Sequence, residues 1–393
     1  MFSDHNPALQ RSGGARFSRV IVDLSDEEAR AALPLKWGAV EPGVLPTWVA
    51  EMDYALAPPL VEALTAAVRR GTAGYPPFGD GGVGAALSGY ADRHWSWSPP
   101  ADASVVVGDV IAGVRIALEA LCPPGPVVVP LPCYPPFRDV VAVAGRELVP
   151  VELDPDADDA ALDLAAVEDA FRAGARTLLL CNPHNPLGRV ATPDELAALA
   201  ALAREYDARV IADEIHGPLV LPGATFTPYL SVDERGILVT SPSKTFNTAG
   251  LHCAQVVTLD PAEQARLRGL PLPQNHAYSP LGMIAAVVAW TDGDDWNAAL
   301  VERLDAQRKL LGDLLVTHLP AARMRPLEAT YLPWLDLRAY GHDDPATSAL
   351  RHGVRVGPGD HYHPGLPGHV RLNIATDARR LEQIVERLAA ALS

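Results

Sequence analysis

The sequence predicts an α/β fold in which a large, doubly wound and mostly parallel sheet of seven strands is joined to a smaller α/β part. Short apolar runs alternate with amphipathic helical stretches over most of the chain, as a parallel sheet covered by helices on both faces requires. The length of 393 residues exceeds that of one ordinary domain and suits a large unit with a smaller lobe.

Seven apolar runs bounded by turn residues predict the strands of the large sheet. They are Ser104 to Val107, Val127 to Pro130, Leu148 to Leu153, Thr177 to Cys181, Arg209 to Asp213, Gly236 to Thr240 and Ala254 to Leu259. Helical stretches alternate with them, namely Pro59 to Arg70, Val110 to Leu121, Leu162 to Arg172 and Pro193 to Tyr206. The last of these stretches has Thr192 as its candidate N-cap and Pro193 at its first helical position.

A second group of elements follows the large sheet and predicts a smaller lobe. It contains a long helix, three strands and a closing helix: Asp295 to His318, Tyr331 to Leu337, Val354 to Val356, His369 to Ile374, and Ala378 to Leu392. We therefore predict an N-terminal segment at 1–58 that packs with the small domain, a large domain at 59–290 and a small domain at 291–393.

Composition excludes several classes of protein. The net charge is −16, with 32 Lys and Arg scattered among 48 Asp and Glu, whereas nucleic-acid binding needs clustered cations. The N-terminus has no basic region followed by an apolar one, and no apolar run approaches the roughly 18 residues of a membrane span. We expect a cytoplasmic protein with neither a nucleic-acid nor a membrane partner.

Cysteine spacing indicates reduced thiols. Cys122, Cys133, Cys181 and Cys253 are widely separated and show no paired metal-ligand spacing. We expect neither a disulfide framework nor a metal site.

One lysine lies in a segment that is compatible with a catalytic lysine. Lys244 stands among hydroxyls and small residues in Ser241-Pro242-Ser243-Lys244-Thr245-Phe246-Asn247, directly after a predicted strand. A lysine forms a Schiff base only as the free amine, and no carboxylate flanks Lys244 in sequence to keep it charged. On this segment alone, a solvated surface lysine remains the alternative.

Polar and aromatic residues follow the other predicted strands, at the sheet edge where ligands collect in open α/β sheets. Gly108 to Gly113 open a helix whose amides could hold a phosphate, or simply form a tight turn. Tyr134 lies in a proline-rich loop that could stack on a planar ring or only pack. Asn185 belongs to a string of two Asn-Pro steps, and Asp213 ends a strand, where it could also be a capping residue. An aromatic ring, an amide, a carboxylate and a lysine on successive strand ends describe a pocket for pyridoxal 5'-phosphate (PLP).

At these residues, and in further motifs along nearly the whole chain, the sequence resembles PLP-dependent enzymes of fold type I, the class I/II aminotransferase superfamily. Within it the chain is similar to the MalY/PatB-type cystathionine β-lyase, or cysteine C–S lyase, branch. The further motifs are Leu35-Lys36-Trp37, the run from Pro46 to Tyr54, Gly74-Tyr75, the run from Tyr331 to Arg338 and His369-Val370-Arg371-Leu372-Asn373.

The resemblance implies roles at the cofactor ring. Lys244 would bond to the cofactor and later remove the Cα proton of the substrate. Asp213 would keep the ring nitrogen protonated, Tyr134 would stack on the ring, and Asn185 would hydrogen-bond its phenolic oxygen. His216 would lie near that oxygen, although a packed, uncharged histidine is the alternative.

The resemblance also implies how phosphate and substrate are held. The phosphate contacts would be the amides of Val110 and Ile111, the hydroxyls of Ser241 and Ser243, and Tyr75 of a neighbouring subunit, which makes a homodimer with shared active sites the expected assembly. Arg371 would pair with the α-carboxylate of a small amino acid substrate, with Tyr54 and Asn185 also on the substrate side. A surface arginine is the alternative for Arg371.

Three functions fit the resemblance. The first is a C–S β-lyase that cleaves cystathionine or another cysteine S-conjugate to a thiol, pyruvate and ammonia. The second is an aminotransferase for a small amino acid, possible in a specialised biosynthetic pathway. One departure favours the lyase, because His252 stands where many aminotransferases have an arginine. The third is a non-catalytic PLP-binding regulator, which we do not expect because the residues before Pro34 are too few for a DNA-binding domain.

Other departures concern the predicted substrate entrance. Glu51 replaces the usual aspartate, Tyr54 replaces a phenylalanine, and the loop around His361 carries additional imidazoles. We expect these changes to affect the choice of substrate and to leave the cofactor unchanged.

Overall fold

The computed structural model describes residues 20–393, so residues 1–19 of the predicted N-terminal segment lie outside the described residues. The strands within 20–393 are β1 (Leu45–Pro46), β2 (Ser104–Val107), β3 (Val127–Leu131), β4 (Leu148–Glu152), β5 (Thr177–Cys181), β6 (Arg209–Asp213), β7 (Ile237–Thr240), β8 (Ala254–Val257), β9 (Arg323–Met324), β10 (Trp334–Asp336), β11 (Val354–Arg355), β12 (Gly357–Pro358) and β13 (His369–Arg371).

The α-helices of the same residues are α1 (Asp26–Ala32), α2 (Pro58–Arg69), α3 (Val83–Trp95), α4 (Val110–Ala120), α5 (Pro136–Val143), α6 (Leu164–Arg172), α7 (Pro193–Glu205), α8 (Pro261–Arg268), α9 (Pro280–Asp292), α10 (Asp294–His318), α11 (Pro345–Arg351) and α12 (Ala378–Leu392). Within residues 20–393, no helix combines the length and the apolar character needed to cross a membrane.

All seven predicted strands of the large sheet are present and form one sheet in the order β2-β8-β7-β6-β5-β3-β4. The sheet is parallel except for β8, which runs antiparallel to both of its neighbours. Cys181 pairs with Asp213, and Asp213 pairs with Val239, so β5, β6 and β7 end at nearly the same level. The loops that follow these three strands therefore leave the sheet side by side.

Helices cover both faces of this sheet, which confirms the doubly wound prediction. On one face, Val114 and Leu118 of α4 belong to the same core cluster as Val129 and Val239 of the sheet. On the other, residues of α6 and α7 pack with Leu178 and Val210 in a second cluster. Because both faces are buried, the parallel strands are continuous apolar runs without polar alternation.

Capping residues fix where the helices begin. In α7, Thr192 and Glu195 form a capping box with Pro193 at the first helical position, as the sequence predicts. In α4, the Asp109 side chain accepts a hydrogen bond from the Ala112 amide at 2.7 Å. This cap holds the N-terminus of α4 at the end of β2, on the sheet edge where the polar loops lie.

The remaining strands form two small sheets, one of which joins residues 45–46 to the C-terminal part. One is antiparallel, in the order β12-β13-β10-β9, and the other is the parallel pair β1 and β11, in which Leu45 lies opposite Val354. Trp37 and Met52 share a core cluster with Leu335 and Leu388, so the segment from residue 20 to 58 packs against the C-terminal elements. The domain boundaries at residues 58 and 290 stay predictions.

Candidate active site

A cavity of about 930 Å³ lies at the carboxyl ends of the parallel strands, between the large sheet and the small sheets. Ten of the twelve predicted cofactor and substrate residues line it: Val110, Ile111, Tyr134, Asn185, Asp213, His216, Ser241, Ser243, Lys244 and Arg371. The level ends of β5, β6 and β7 explain the convergence of those residues that follow these three strands, from Asn185 to Lys244.

Lys244 lies in the loop after β7, with its ammonium nitrogen in the cavity wall. Its Nζ donates to the Ala50 carbonyl oxygen at 3.3 Å, and among residues 20–393 no carboxylate forms a salt bridge with it. Burial, together with the positive charge of Arg371, lowers the pKa of Lys244, against the smaller opposing effects of Glu51 and Asp213. The lysine is thus shifted toward the free amine that a nucleophile or a base needs.

Asp213 ends β6 with its carboxyl group almost fully buried. Burial raises its pKa to about 7, although the hydrogen bond from the Ile215 amide at 3.1 Å and the charge of Lys244 both act in the opposite direction. No residue within 20–393 forms a salt bridge with Asp213. A buried carboxylate of this kind gains stability when a cation is placed against it.

His216 follows Asp213 and is also buried. Its pKa is lowered to about 3, mainly by burial and further by the charges of Lys244 and Arg371, so the imidazole is neutral. Its Nδ1 is buried and makes no hydrogen bond to any described residue. His216 is therefore packed and uncharged, as one of the two predictions has it. It also has an unused polar atom at the cavity wall, as a contact to the cofactor requires.

Arg371, at the end of β13, is a residue of the four-stranded small sheet that lines the cavity. Its Nη1 donates to Asn185 Oδ1 and its Nη2 to the Trp48 carbonyl oxygen, each at 2.8 Å. Its Nε is buried without a partner among the described residues, and no carboxylate in 20–393 pairs with the guanidinium. The Arg371 guanidinium is therefore fixed in position and still has N–H donors that are not used. A carboxylate-binding arginine needs both properties.

The predicted phosphate contacts differ in what they can donate. The amides of Val110 and Ile111 lie in the first turn of α4, where backbone N–H groups have no partner within the helix. The Ser241 hydroxyl already donates to the Cys253 carbonyl oxygen at 2.8 Å. It has no proton left for a phosphate oxygen, whereas Ser243 also lines the cavity and its hydroxyl has no such bond.

Tyr134 lines the cavity from the loop after β3, edge-on to Phe137, with ring centroids 5.7 Å apart. Burial raises the pKa of Tyr134, so its hydroxyl stays protonated. Its ring is available beside the cavity, as the sequence predicts.

Two predicted residues are not part of the cavity. Tyr54 is buried, and its hydroxyl donates to the Thr376 carbonyl oxygen at 3.0 Å, so its side chain is used within the core. We therefore do not place Tyr54 among the substrate-contacting residues. Tyr75 is fully exposed and reaches no residue of the cavity within its own chain.

The segment from Thr47 to Asp53, called here the entrance strap, is held from two sides. Asn373 Nδ2 donates to the carbonyl oxygens of Val49 and Glu51, at 2.7 and 2.6 Å. Asn247 exchanges two hydrogen bonds with the Met52 backbone, each at 3.0 Å. Glu51, which the sequence singles out at the entrance, lines the cavity from this strap.

Among the cavity residues to which the sequence analysis gave no role are Trp48, Arg355 and Tyr362. Arg355 alternates with Val354 and Val356, both buried, so its placement on the opposite side from the core could have been read from the pattern. The Tyr362 ring lies 5.0 Å from the Arg371 guanidinium, a contact between distant segments that no local pattern announces.

The chain is similar to known proteins along most of its length. Residues 49–388 match the family described as aminotransferase class I and II. The chain belongs to the aminotransferase class I and II family. This family member is 39% identical over 402 residues to a candidate cystathionine beta-lyase of Mycobacterium leprae, covering 95% of this chain and 98% of the relative. It is 35% identical over 374 residues to the cystathionine beta-lyase of Corynebacterium glutamicum, covering 93% and 98%.

Solved structures show the same architecture for this aminotransferase-family chain. A crystal structure from Corynebacterium diphtheriae, described as a candidate PLP-dependent beta-cystathionase, superposes with a TM-score of 0.90 at 34% identity, covering 95% of this chain and 99% of that one. The fold is that of the PLP-dependent fold type I enzymes, as the sequence predicts.

Proposed function

We propose that this chain is a PLP-dependent carbon–sulfur β-lyase that cleaves cystathionine or another cysteine S-conjugate to a thiol, pyruvate and ammonia. The observation that carries the proposal is the position of Lys244, whose pKa is lowered by burial and by Arg371, in one cavity with Asp213 and Arg371. The C. glutamicum relative named cystathionine beta-lyase supports the lyase reaction, while the family is common to lyases and aminotransferases.

The cavity residues fit PLP in their chemistry. Asp213 offers a buried carboxylate for a protonated ring nitrogen, and its pKa of about 7 reflects the cost of ionising it without a cation. The free amides of Val110 and Ile111 at the start of α4, with Ser243, would hold the phosphate. Tyr134 would stack on the ring, while His216 and Asn185 would lie at its polar edge.

The bound cofactor would supply a conjugated ring that accepts the electron pair left at Cα after a proton is removed. The protein's own part is to hold and move protons. Lys244 Nζ, shifted toward the free amine, would take the Cα proton. Arg371 would hold the substrate carboxylate, and Asn185 would keep the guanidinium in place through its Oδ1.

Loss of the thiolate from Cβ leaves an unsaturated amino acid that water converts to pyruvate and ammonia. An aminotransferase uses the same residues to remove the Cα proton, and it differs afterwards by returning a proton to the cofactor and passing the amino group to a keto acid. The cofactor-binding residues therefore do not separate the two reactions, and the test has to measure products.

The test is pyruvate release from cystathionine by the PLP-loaded protein without any keto acid, with thiol measured in parallel. We expect equal amounts of thiol and pyruvate, and we expect both to be lost in Lys244→Ala. Lys309→Ala is the matched control, because Lys309 is an exposed lysine of α10 paired with Asp305. Glutamate formation that requires 2-oxoglutarate, without thiol release, would show an aminotransferase.

We also propose a homodimer in which Tyr75 reaches the neighbouring subunit's phosphate site. The support is that Tyr75 and Phe78, in one loop, are both fully exposed aromatic side chains. Light scattering gives the mass of the assembly. Mixing Lys244→Ala with Tyr75→Ala subunits tests the sharing, since a mixed dimer that shares sites regains one intact site and with it some activity.

A cytoplasmic location is proposed as well, supported by four cysteines that are all free and buried. Fractionation of cells that express the tagged chain would check it. Recovery of the protein outside the cytoplasmic fraction would contradict it.

A further inference from the structure

Arg355 is a second arginine of the cavity that has no anionic partner within the described part of the chain. It lies on β11, and its guanidinium carbon sits 3.8 Å from the centroid of the Trp48 ring. Its Nη1 donates to the Ala39 carbonyl oxygen at 2.8 Å. Across residues 20–393, no carboxylate forms a salt bridge with it, whereas many of the chain's other arginines have one.

Trp48 connects this arginine to Arg371. The Trp48 carbonyl oxygen accepts from Arg371 Nη2 at 2.8 Å, while the indole ring of the same residue carries the Arg355 guanidinium. The two guanidinium groups are thus held one tryptophan residue apart along the same wall. A molecule with a carboxylate at each end could meet both of them.

A purely structural role uses only part of Arg355. The bond to Ala39 ties β11 to the chain ahead of the entrance strap and occupies one of the five N–H donors of a guanidinium. The ring of Trp48 takes one face of the group. The remaining donors are left for the cavity, because Arg355 is only half-buried.

The acidic residues of the cavity do not neutralise Arg355. Asp344 caps α11 by accepting from the Thr347 amide at 2.8 Å. Hydrogen bonding by the side chain and then the backbone of Thr347 lowers the pKa of Asp344 and directs its charge to the helix. Asp360 is exposed at the rim. Neither of them forms a salt bridge with Arg355, and nor do the cavity's other acidic residues, Glu51, Asp109 and Asp213. The arginine therefore retains its ability to attract an anion.

We propose that Arg355 binds a second carboxylate of the substrate, so that the site prefers amino acids whose sulfur substituent is itself acidic. This inference rests on the proposed C–S lyase function. Arg371 holds the carboxylate of the half that reacts, and Arg355 holds the carboxylate of the half that leaves as a thiol. Cystathionine has both groups, whereas S-ethylcysteine has only the first.

The test compares these two substrates in Arg355→Gln. The variant raises KM for cystathionine about tenfold, the lower part of what a hydrogen bond to a charged group contributes, because Arg355 is partly exposed. It leaves kcat for cystathionine and both constants for S-ethylcysteine unchanged. Arg351→Gln is the matched control, since it removes the same charge from an exposed position on α11.

A binding measurement separates this inference from the lyase proposal. Suberate carries two carboxylates as many bonds apart as those of cystathionine, and octanoate carries one. Calorimetry with the PLP-loaded protein should show that Arg355→Gln weakens suberate about tenfold and leaves octanoate unchanged. This binding result would remain valid even if no substrate yields pyruvate. The absence of pyruvate would contradict only the proposed lyase function.

Two outcomes would overturn the role of Arg355. One is an equal rise of KM for cystathionine and S-ethylcysteine, which would show a general disturbance of the entrance strap. The other is unchanged suberate affinity in a variant whose cofactor absorbance and near-UV circular dichroism match the parent protein.

Discussion

Asp213→Asn should stabilise the cofactor-free protein and impair the enzyme. Asparagine has the shape of aspartate and keeps an oxygen for the Ile215 amide, which donates to Asp213 Oδ1 at 3.1 Å. It cannot ionise. The variant therefore removes the cost of a buried charge and also removes the anion that would face the cofactor's ring nitrogen.

The size of the stabilisation follows from the pKa of Asp213. Burial raises it from the ordinary 3.8 to about 7. Since one pKa unit corresponds to about 1.4 kcal/mol, ionising this group in the folded protein costs about 4 kcal/mol more than in the unfolded chain. Between pH 3.8 and about 7 the folded state binds more protons than the unfolded state, so stability falls as pH rises. Above about 7 the loss is complete.

The advantage of the variant should therefore grow from pH 4 to pH 7, reach about 4 kcal/mol, and stay constant at higher pH. Urea denaturation of the cofactor-free proteins, followed by tryptophan fluorescence at pH 5, 6, 7 and 8.5, measures it. Asp344→Asn is the control, because the Thr347 hydrogen bonds lower the pKa of Asp344, so this variant should lose stability by an amount that stays constant from pH 5 to pH 8.5. A difference between Asp213→Asn and the parent that does not change with pH would refute the reasoning.

Three further predictions concern other buried groups. Arg371→Lys should raise KM roughly 10- to 100-fold in steady-state assays, because a lysine loses the paired donors, whereas an unchanged KM would remove Arg371 from substrate binding. His216→Gln should make the free energy of unfolding in urea less dependent on pH between about 3 and 6.5. Because the pKa of His216 is lowered to about 3, the parent protein loses about 1.4 kcal/mol per pH unit as pH falls below 6.5. Plots of unfolding free energy against pH that run parallel for the variant and the parent would contradict this. Lys36→Met should lower the free energy of unfolding in urea by about 3 kcal/mol, because Lys36 Nζ lies 2.8 Å from the buried Asp53. Lys309→Met, which breaks an exposed ion pair, should lower it by less than about 1 kcal/mol. Equal losses of stability in the two variants would contradict this prediction.

The sequence predicted the large sheet well because its strands are buried on both faces. The runs that became β2, β5 and β6 match the observed bounds, since uninterrupted Val, Leu and Ile between turns leave little choice. The reversal of β8 was not predicted, because an apolar run does not record its direction. Tyr331 to Leu337 was predicted as a strand, yet only Trp334–Asp336 pairs, since the small sheets are set by partners far away in the chain.

The site was predicted where residues follow strands, and less well elsewhere. Lys244, Asp213 and Asn185 converge because β5, β6 and β7 end together. Tyr54 was given a substrate role that its buried position does not support, because a motif does not tell which face of an irregular segment is inward. The sequence also did not predict that the Ser241 hydroxyl donates to the Cys253 carbonyl oxygen, because Cys253 comes twelve residues later and follows a 3₁₀ turn.

The two-sided attachment of the entrance strap has a consequence for biosynthesis. The strap lies near the start of the chain, yet its carbonyl groups are held by Asn373, more than 320 positions further on. While the protein is being made, the large sheet can fold and Lys244 can emerge long before the strap has its final partner. The cavity is complete only after Asn373 has been translated, so a chain truncated before this residue should display the lysine without an enclosed pocket around it.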